Sequence, residues 1–210
     1  VAKGYGLLAR ISRQAGDRVT AEFFIEEARL RFERDGDRSG QAIVYNTLGE
    51  LKREAGQLEE AEAAYTESMH RYDAIGSVAG CYARLNLGTT LTVAGKHQEA
   101  TDRLVEVREE AARIGHSSIL VALHVIRLAS LAGLGEWRTF ELELEEAERK
   151  IPEIRIVDVD IANLAQLAAE RCDTLDQPKL ARRCWVIAHD QWTSLDRSAE
   201  IAISAKHIAV

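Results

Sequence analysis

The chain has 210 residues, of which 46% are hydrophobic and 29% charged, and its formal net charge is −7. Those proportions belong to a folded protein, and an acidic balance argues against nucleic-acid binding, which needs basic charge to neutralise phosphates. No apolar run is read here as reaching the roughly 18–20 residues that span a bilayer, and Val1-Ala2-Lys3-Gly4-Tyr5 is not the start of a signal peptide, so no membrane partner is expected.

Only two prolines, Pro152 and Pro178, interrupt a chain rich in Ala, Leu, Glu and Arg, and runs with strand-like alternation are missing. An all-α protein is expected. Its punctuation is periodic. Gly16, Gly56, Gly95 and Gly135 lie 40, 39 and 40 residues apart, and Asp176 takes the next slot 41 further on; Gly36, Gly76 and Gly115 form a second series. The first series marks the turn inside a helix pair and the second the junction between pairs, where a backbone tolerant of positive φ is wanted.

Taken in order, the first pair (1–36) carries Leu7-Leu8-Ala9, Gly16, Ala21 and Ile25. The second (40–76) carries Tyr45-Asn46-Thr47-Leu48-Gly49, Gly56, Ala61 and Tyr65, and the third (78–115) repeats this as Leu85-Asn86-Leu87-Gly88, Gly95, Ala100 and Leu104. In the fourth (117–154), the first helix is almost wholly apolar from Ile119 to Leu134, with His124 and Arg127 its only strongly polar residues. Either it offers a pocket to a partner's hydrophobic side chains or close stacking buries it; packing is the preferred reading. The run from Glu141 to Lys150 reads as a solvated outer face, with Glu145–Arg149 and Glu146–Lys150 as i,i+4 ion pairs, an acidic docking patch being the alternative. The fifth pair (158–196) has Pro178 opening its second helix, Trp185 in a core slot and Trp192 in a more exposed position. A lone helix, 198–210, closes on Ile201-Ala202-Ile203 and Ile208-Ala209-Val210. Such an uncapped apolar end fits a piece of a longer protein, end-to-end pairing, or a cap lying across the last pair.

These positions resemble the tetratricopeptide repeat family: Leu48-Gly49, Gly56, Ala61, Tyr65 and Ser68 in the second unit, and Leu87-Gly88, Gly95, Ala100 and Leu104 in the third. The likeness is strongest over 41–115. Ala9 and Phe140 depart from it in repeats one and four, and the period of about 40 exceeds the family's usual 34. Longer repeats with junctions like Gly36-Asp37-Arg38 resemble arrays in large bacterial regulators. The resemblance implies one right-handed α-solenoid domain of about five helix hairpins plus a terminal helix. It implies a non-catalytic, cytoplasmic interaction module that takes a protein or peptide in a groove lined by the first helices. The alternative is a sensory domain that binds a small ligand, or self-associates through the terminal helix, to control an attached enzyme or transcription module.

Carried over position by position, the groove would consist of Lys3, Arg10 and Arg13; Asn46, Glu50 and Arg53; Tyr82, Asn86 and Thr89; and Asn163, Gln166, Glu170 and Asp173. It would run from basic to acidic along the chain. A carboxylate clamp of the kind some relatives use is not evident, since Gly6/Arg10, Asn46/Glu50 and Leu85/Thr89 fill its slots. Nothing suggests catalysis, a metal or a cofactor. The six histidines lack His-Glu-x-x-His spacing, Cys81, Cys172 and Cys184 form no Cys-x-x-Cys, and neither a Gly-x-Ser-x-Gly elbow nor a phosphate loop occurs.

Overall fold

The computed structural model describes residues 1–209, and among them there is helix and no strand. The helices are α1 (Ala2–Gln14), α2 (Arg18–Arg34), α3 (Arg38–Glu54), α4 (Leu58–Asp73), α5 (Gly80–Val93), α6 (His97–Ile114), α7 (Ser117–Ile126), α8 (Leu128–Leu134), α9 (Trp137–Ile154), α10 (Val159–Thr174), α11 (Pro178–Ser194) and α12 (Ser198–Ile208). Taking α7 and α8 together as the first helix of the fourth pair, five pairs and a terminal helix follow one another, as the sequence leads one to expect. They fall into two compact units, Val1–Ala94 and Gly95–Val210.

Local chemistry accounts for the boundaries. Asp17, Asp37 and Asp158 cap α2, α3 and α10, their carboxylates accepting from the amides of Thr20, Gly40, and both Asp160 and Ile161. Every glycine of the two periodic series has positive φ, between 62° and 77°. Asp176 keeps the same backbone at φ 56°, as do Asp196 and Arg155, which no glycine announces.

In the first unit α1, α3 and α5 are the first helices of their pairs, and α3 lies in contact with both of the others. The core beneath α1–α3 is built from Ala9, Ala21, Ile25, Ala28, Phe32, Val44 and Leu51. Small residues set the helix spacing. A Cβ on Gly49 would stand 2.6 Å from the ring of Tyr65, which is itself fully buried. Ser68 turns its hydroxyl to the Ala42 carbonyl at 2.8 Å, so the polar small residue of α4 is satisfied in the core.

The second unit is organised around α7 and α8. Ser117–Leu134 does have the length and apolar composition of a membrane-spanning segment, contrary to the expectation that no run reaches it. Residues 121–132 are all buried, against α6, α9 and α10, so this is a core helix and the packing reading holds. Trp185 and Trp192 are both 2% exposed, which corrects the more open position expected for Trp192. Their indoles donate to Asp173 at 3.1 Å and Gln166 at 3.3 Å, the polar handle a buried tryptophan needs. The terminal helix α12 lies on α11: His207 stacks on Trp185 with centroids 4.1 Å apart, and His189 Nδ1 meets Ser204 Oγ at 2.9 Å.

Candidate functional site

The first helices of the first unit carry a continuous polar ladder. Asn86 on α5 donates to Asn46 on α3 at 3.1 Å, and Asn46 donates to Glu50 at 2.9 Å. Glu50 in turn pairs with Arg13 on α1 at 2.9 Å, while Arg13 also bonds Glu54. Four of the expected groove residues, drawn from three repeats, are thereby joined. They sit together because each occupies the same half-buried stripe of a first helix, and a repeat of about 40 residues brings those stripes side by side.

Beside the ladder, α1 and α3 enclose an open cavity of about 470 Å3. Lys3, Leu7 and Arg10 line one wall and Ile43 the other, with Gly6 leaving open space beside it and the ring of Phe32 lying against Gly40 at the back. A second cavity of about 230 Å3 shares Arg10 and Ile43 and continues past Arg13, Asn46 and Glu50. Together they make a trough. Its apolar residues are accessible: Leu7 is 55% and Ile43 46% exposed. Lys3 and Arg10 are exposed and have no carboxylate within 4.0 Å among the described residues, in contrast to Arg13. Asp37 also lines the larger cavity, but its carboxylate is committed to the Gly40 amide at 2.8 Å.

The other expected groove residues divide. Tyr82 is exposed on α5, and Arg53 is half-buried and bonded within the protein. Thr89 does not belong in a groove: it is 1% exposed, because residues 87–92 of α5 are buried all round. In the second unit Asn163 and Glu170 are exposed on α10, and Gln166 donates to Glu170 at 2.9 Å. Gln166 and Asp173 nevertheless face α11, where they receive the indole N–H groups of Trp192 and Trp185, and Asp173 also faces His207 at 3.7 Å. Those two are tied up in packing rather than presented as a recognition stripe.

Sequence reasoning missed a buried ionic cluster in the second unit. Glu143 on α9, 6% exposed, receives both carboxylate bonds from Arg108 on α6 at 2.8 Å, bonds Arg127, and meets His124 Nδ1 at 2.6 Å. Lys150 Nζ lies 3.3 Å from His124 Nε2. An ammonium can only donate, so this geometry selects the neutral imidazole with its proton on Nδ1, directed at Glu143. Burial alone would raise the Glu143 pKa; the bonds from His124 and Arg108, with the charges of Arg108 and Arg127, outweigh it and hold the carboxyl below its usual range. For Arg127 burial dominates and pushes the pKa down, against the pull of Glu143. A signal was available: Glu143 sits on the stripe of Phe140, Leu144 and Ala147, all fully buried, so the block around it could not be wholly solvated. Further along, Glu146 pairs with Lys150 at 2.9 Å as expected, but Arg149 takes Glu146 at 2.7 Å rather than Glu145.

Residues 1–74 match the tetratricopeptide repeat family. The match starts in the first repeat, where the sequence pattern looked relaxed; Ala9, in the place of a glycine, is 1% exposed and keeps the small contact the slot requires. No curated protein matches the sequence. Among the solved structures that share its fold, three are each 15% identical to it. BtubC from P. vanneervenii has a TM-score of 0.67 over 93% of this chain and 81% of its own. A thermophilic TPR protein from Thermus thermophilus reaches 0.65 with each chain fully covered. A signal-transduction ATPase with numerous domains from Pyrococcus horikoshii, described as having a tetratricopeptide repeat sensor, reaches 0.70 over the whole of this chain, which spans 32% of that larger protein.

Proposed function

We propose that this tetratricopeptide repeat array is a non-catalytic interaction module, and that the trough between α1 and α3 takes a segment of a protein or peptide partner. The observation that carries the reading is the coincidence, in one cavity of about 470 Å3, of exposed Leu7 and Ile43 with two cations, Lys3 and Arg10, that no carboxylate pairs with among the described residues. Pockets of this size with a few convergent polar groups are where binding energy concentrates. The ladder holds the three first helices in fixed relation, so the trough is formed before the partner arrives and little ordering cost remains. A reducing, cytoplasmic setting suits Cys81, Cys172 and Cys184, which are buried and not in disulfides.

The test is site-specific crosslinking. A photoreactive residue at Leu7 or Ile43 should trap a bound polypeptide, and the same group at exposed Val186 on α11 should not. Equal trapping at all three positions would rule out the trough as the binding site.

The Pyrococcus protein favours a second reading, in which the array senses a small ligand and controls an attached module. A metabolite that raises the melting temperature while no polypeptide crosslinks at Leu7 or Ile43 would make this the better account.

A further inference from the structure

We propose that His97 and Arg171 form a pH-sensitive latch in the second unit, closed across Gly133 while the imidazole is neutral and released when it takes up a proton. The latch lies apart from the trough, so neither reading depends on the other. Arg171 on α10 points one guanidinium nitrogen at two acceptors: the Ala129 carbonyl on α8 at 2.6 Å, and His97 Nδ1 at the start of α6 at 3.1 Å. A solenoid repeat normally touches only its neighbours. Here a side chain of the fifth pair reaches a residue of the third by crossing the fourth. The crossing is open because Gly133 has no side chain, and a Cβ there would collide with the imidazole. The residues two places before the turn in the other four pairs are Gln14, Glu54, Val93 and Thr174, so glycine at this place departs from the repeat.

The bond fixes the protonation state. A guanidinium can only donate, so Nδ1 must present its lone pair, which leaves a neutral ring with its proton on Nε2. A proton from solvent would take that lone pair, end the hydrogen bond and set an imidazolium against a guanidinium. His97 is half-buried, so a proton can reach it. Burial first, and the charge of Arg171 second, hold its pKa below the usual histidine value. The positive end of α6, whose first residue is His97, acts in the same direction. No carboxylate offsets them within 4.0 Å of the ring among the described residues. Helix α8 carries no titratable side chain, and on α10 Glu170 and Asp173 are engaged by Gln166 and by the Trp185 indole. On its own segment Lys96 and Glu99 flank it with opposite charges, and Asp102 receives the Gln98 amide. A histidine whose pKa is lowered by folding adds stability that is complete above the unfolded value of about 6.5 and is lost as pH falls through the folded value. Acid therefore loosens α6 from α8 and α10.

The test is NMR of the full chain with isotope-labelled histidine rings, the His97 signals being those missing from His97→Asn. At about pH 8 the ring should carry its proton on Nε2, and its titration midpoint should lie below that of the same ring in the urea-unfolded chain. Gly133→Ala pushes the imidazole off the crossing and Arg171→Gln removes the charge, and each should move the titration midpoint up toward the unfolded value. Tryptophan fluorescence then reads urea unfolding of the second unit at about pH 8 and about pH 5. His97→Asn keeps an acceptor and cannot take the proton, so on acidification the parent chain should lose more stability than this variant does. The proposal is overturned if the proton sits on Nδ1 at about pH 8, or if the midpoint matches or exceeds that of the unfolded chain. It is equally overturned if neither Gly133→Ala nor Arg171→Gln moves the midpoint, or if the parent and His97→Asn lose stability alike. The tautomer and the midpoint are read on the unaltered protein, so a variant that fails to fold leaves the proposal open to refutation.

Discussion

Glu143→Ala is the most demanding perturbation the structure offers. The substitution removes the only carboxylate bonded to Arg127 and His124 among the described residues, which are 8% and 7% exposed, and strips Arg108 of both its bonds to that group. Two positively charged guanidiniums are left without their anion, and Arg127 is too buried to be fully solvated in its place. Breaking a buried pair from one side costs about 3–5 kcal/mol. For a chain of this size each kcal/mol lowers the melting temperature by about 2–4 °C, so a fall of about 6–20 °C is expected. Trp137, Trp185 and Trp192 all lie in the second unit, so tryptophan fluorescence follows that unit alone. Replacing the cluster with apolar residues (His124→Leu, Arg127→Met and Glu143→Leu) should recover much of the loss, because no charge is then stranded. The reasoning is refuted if Glu143→Ala melts within about 1 °C of the parent, or if the triple variant is as unstable as the single one. The pH dependence follows from the lowered Glu143 pKa. A carboxylate whose pKa is lower folded than unfolded stabilises fully above the unfolded value of about 4.3. That contribution disappears as pH falls through the lower folded value, so acid titration should flatten the difference between parent and Glu143→Ala.

Three further outcomes follow. Gly49→Val forces a branched side chain toward the immobile ring of Tyr65 and should cost the first unit about 2 kcal/mol or more, read by urea denaturation; an unchanged midpoint would mean α3 and α4 are not that close. Removing residues 198–210 takes His207 off Trp185, so tryptophan emission should shift to longer wavelength and the second unit should lose stability; unshifted emission would show that α12 does not cover that ring. Thr89→Val should leave peptide binding unchanged because the side chain is buried, and a loss of binding comparable to that from Arg10→Glu would return it to the groove.

The hairpins were legible because one backbone requirement, a left-handed residue after each first helix, writes itself as glycine at a fixed interval. It stayed visible even where Asp176 stands in. The ladder was half legible. Repeat spacing predicts that Asn46 and Asn86 share a stripe, but only geometry shows Arg13 consumed by Glu50 and Glu54. Thr89 misled for a definite reason. Thr90 on the same helix bonds the carbonyl of Asn86, four residues back, so a buried threonine can satisfy its hydroxyl on its own helix. Polarity in sequence therefore says little about which face such a residue takes. Glu143 was hidden differently, inside a run of glutamates whose composition reads as surface although its helical phase matches Phe140 and Ala147.

The ladder also explains why there is an opening beside it. Asn86 and Asn46 stand 40 residues apart, and one further step of 40 back along the chain arrives at Gly6, which lines the larger cavity and has nothing within 4 Å of where its Cβ would be. The trough is thus a missing rung, a place where the row of amides was left one member short. A Gly6→Asn chain would supply that rung from within and act as its own permanent competitor, and any partner that seats here completes from outside a pattern the protein has already drawn.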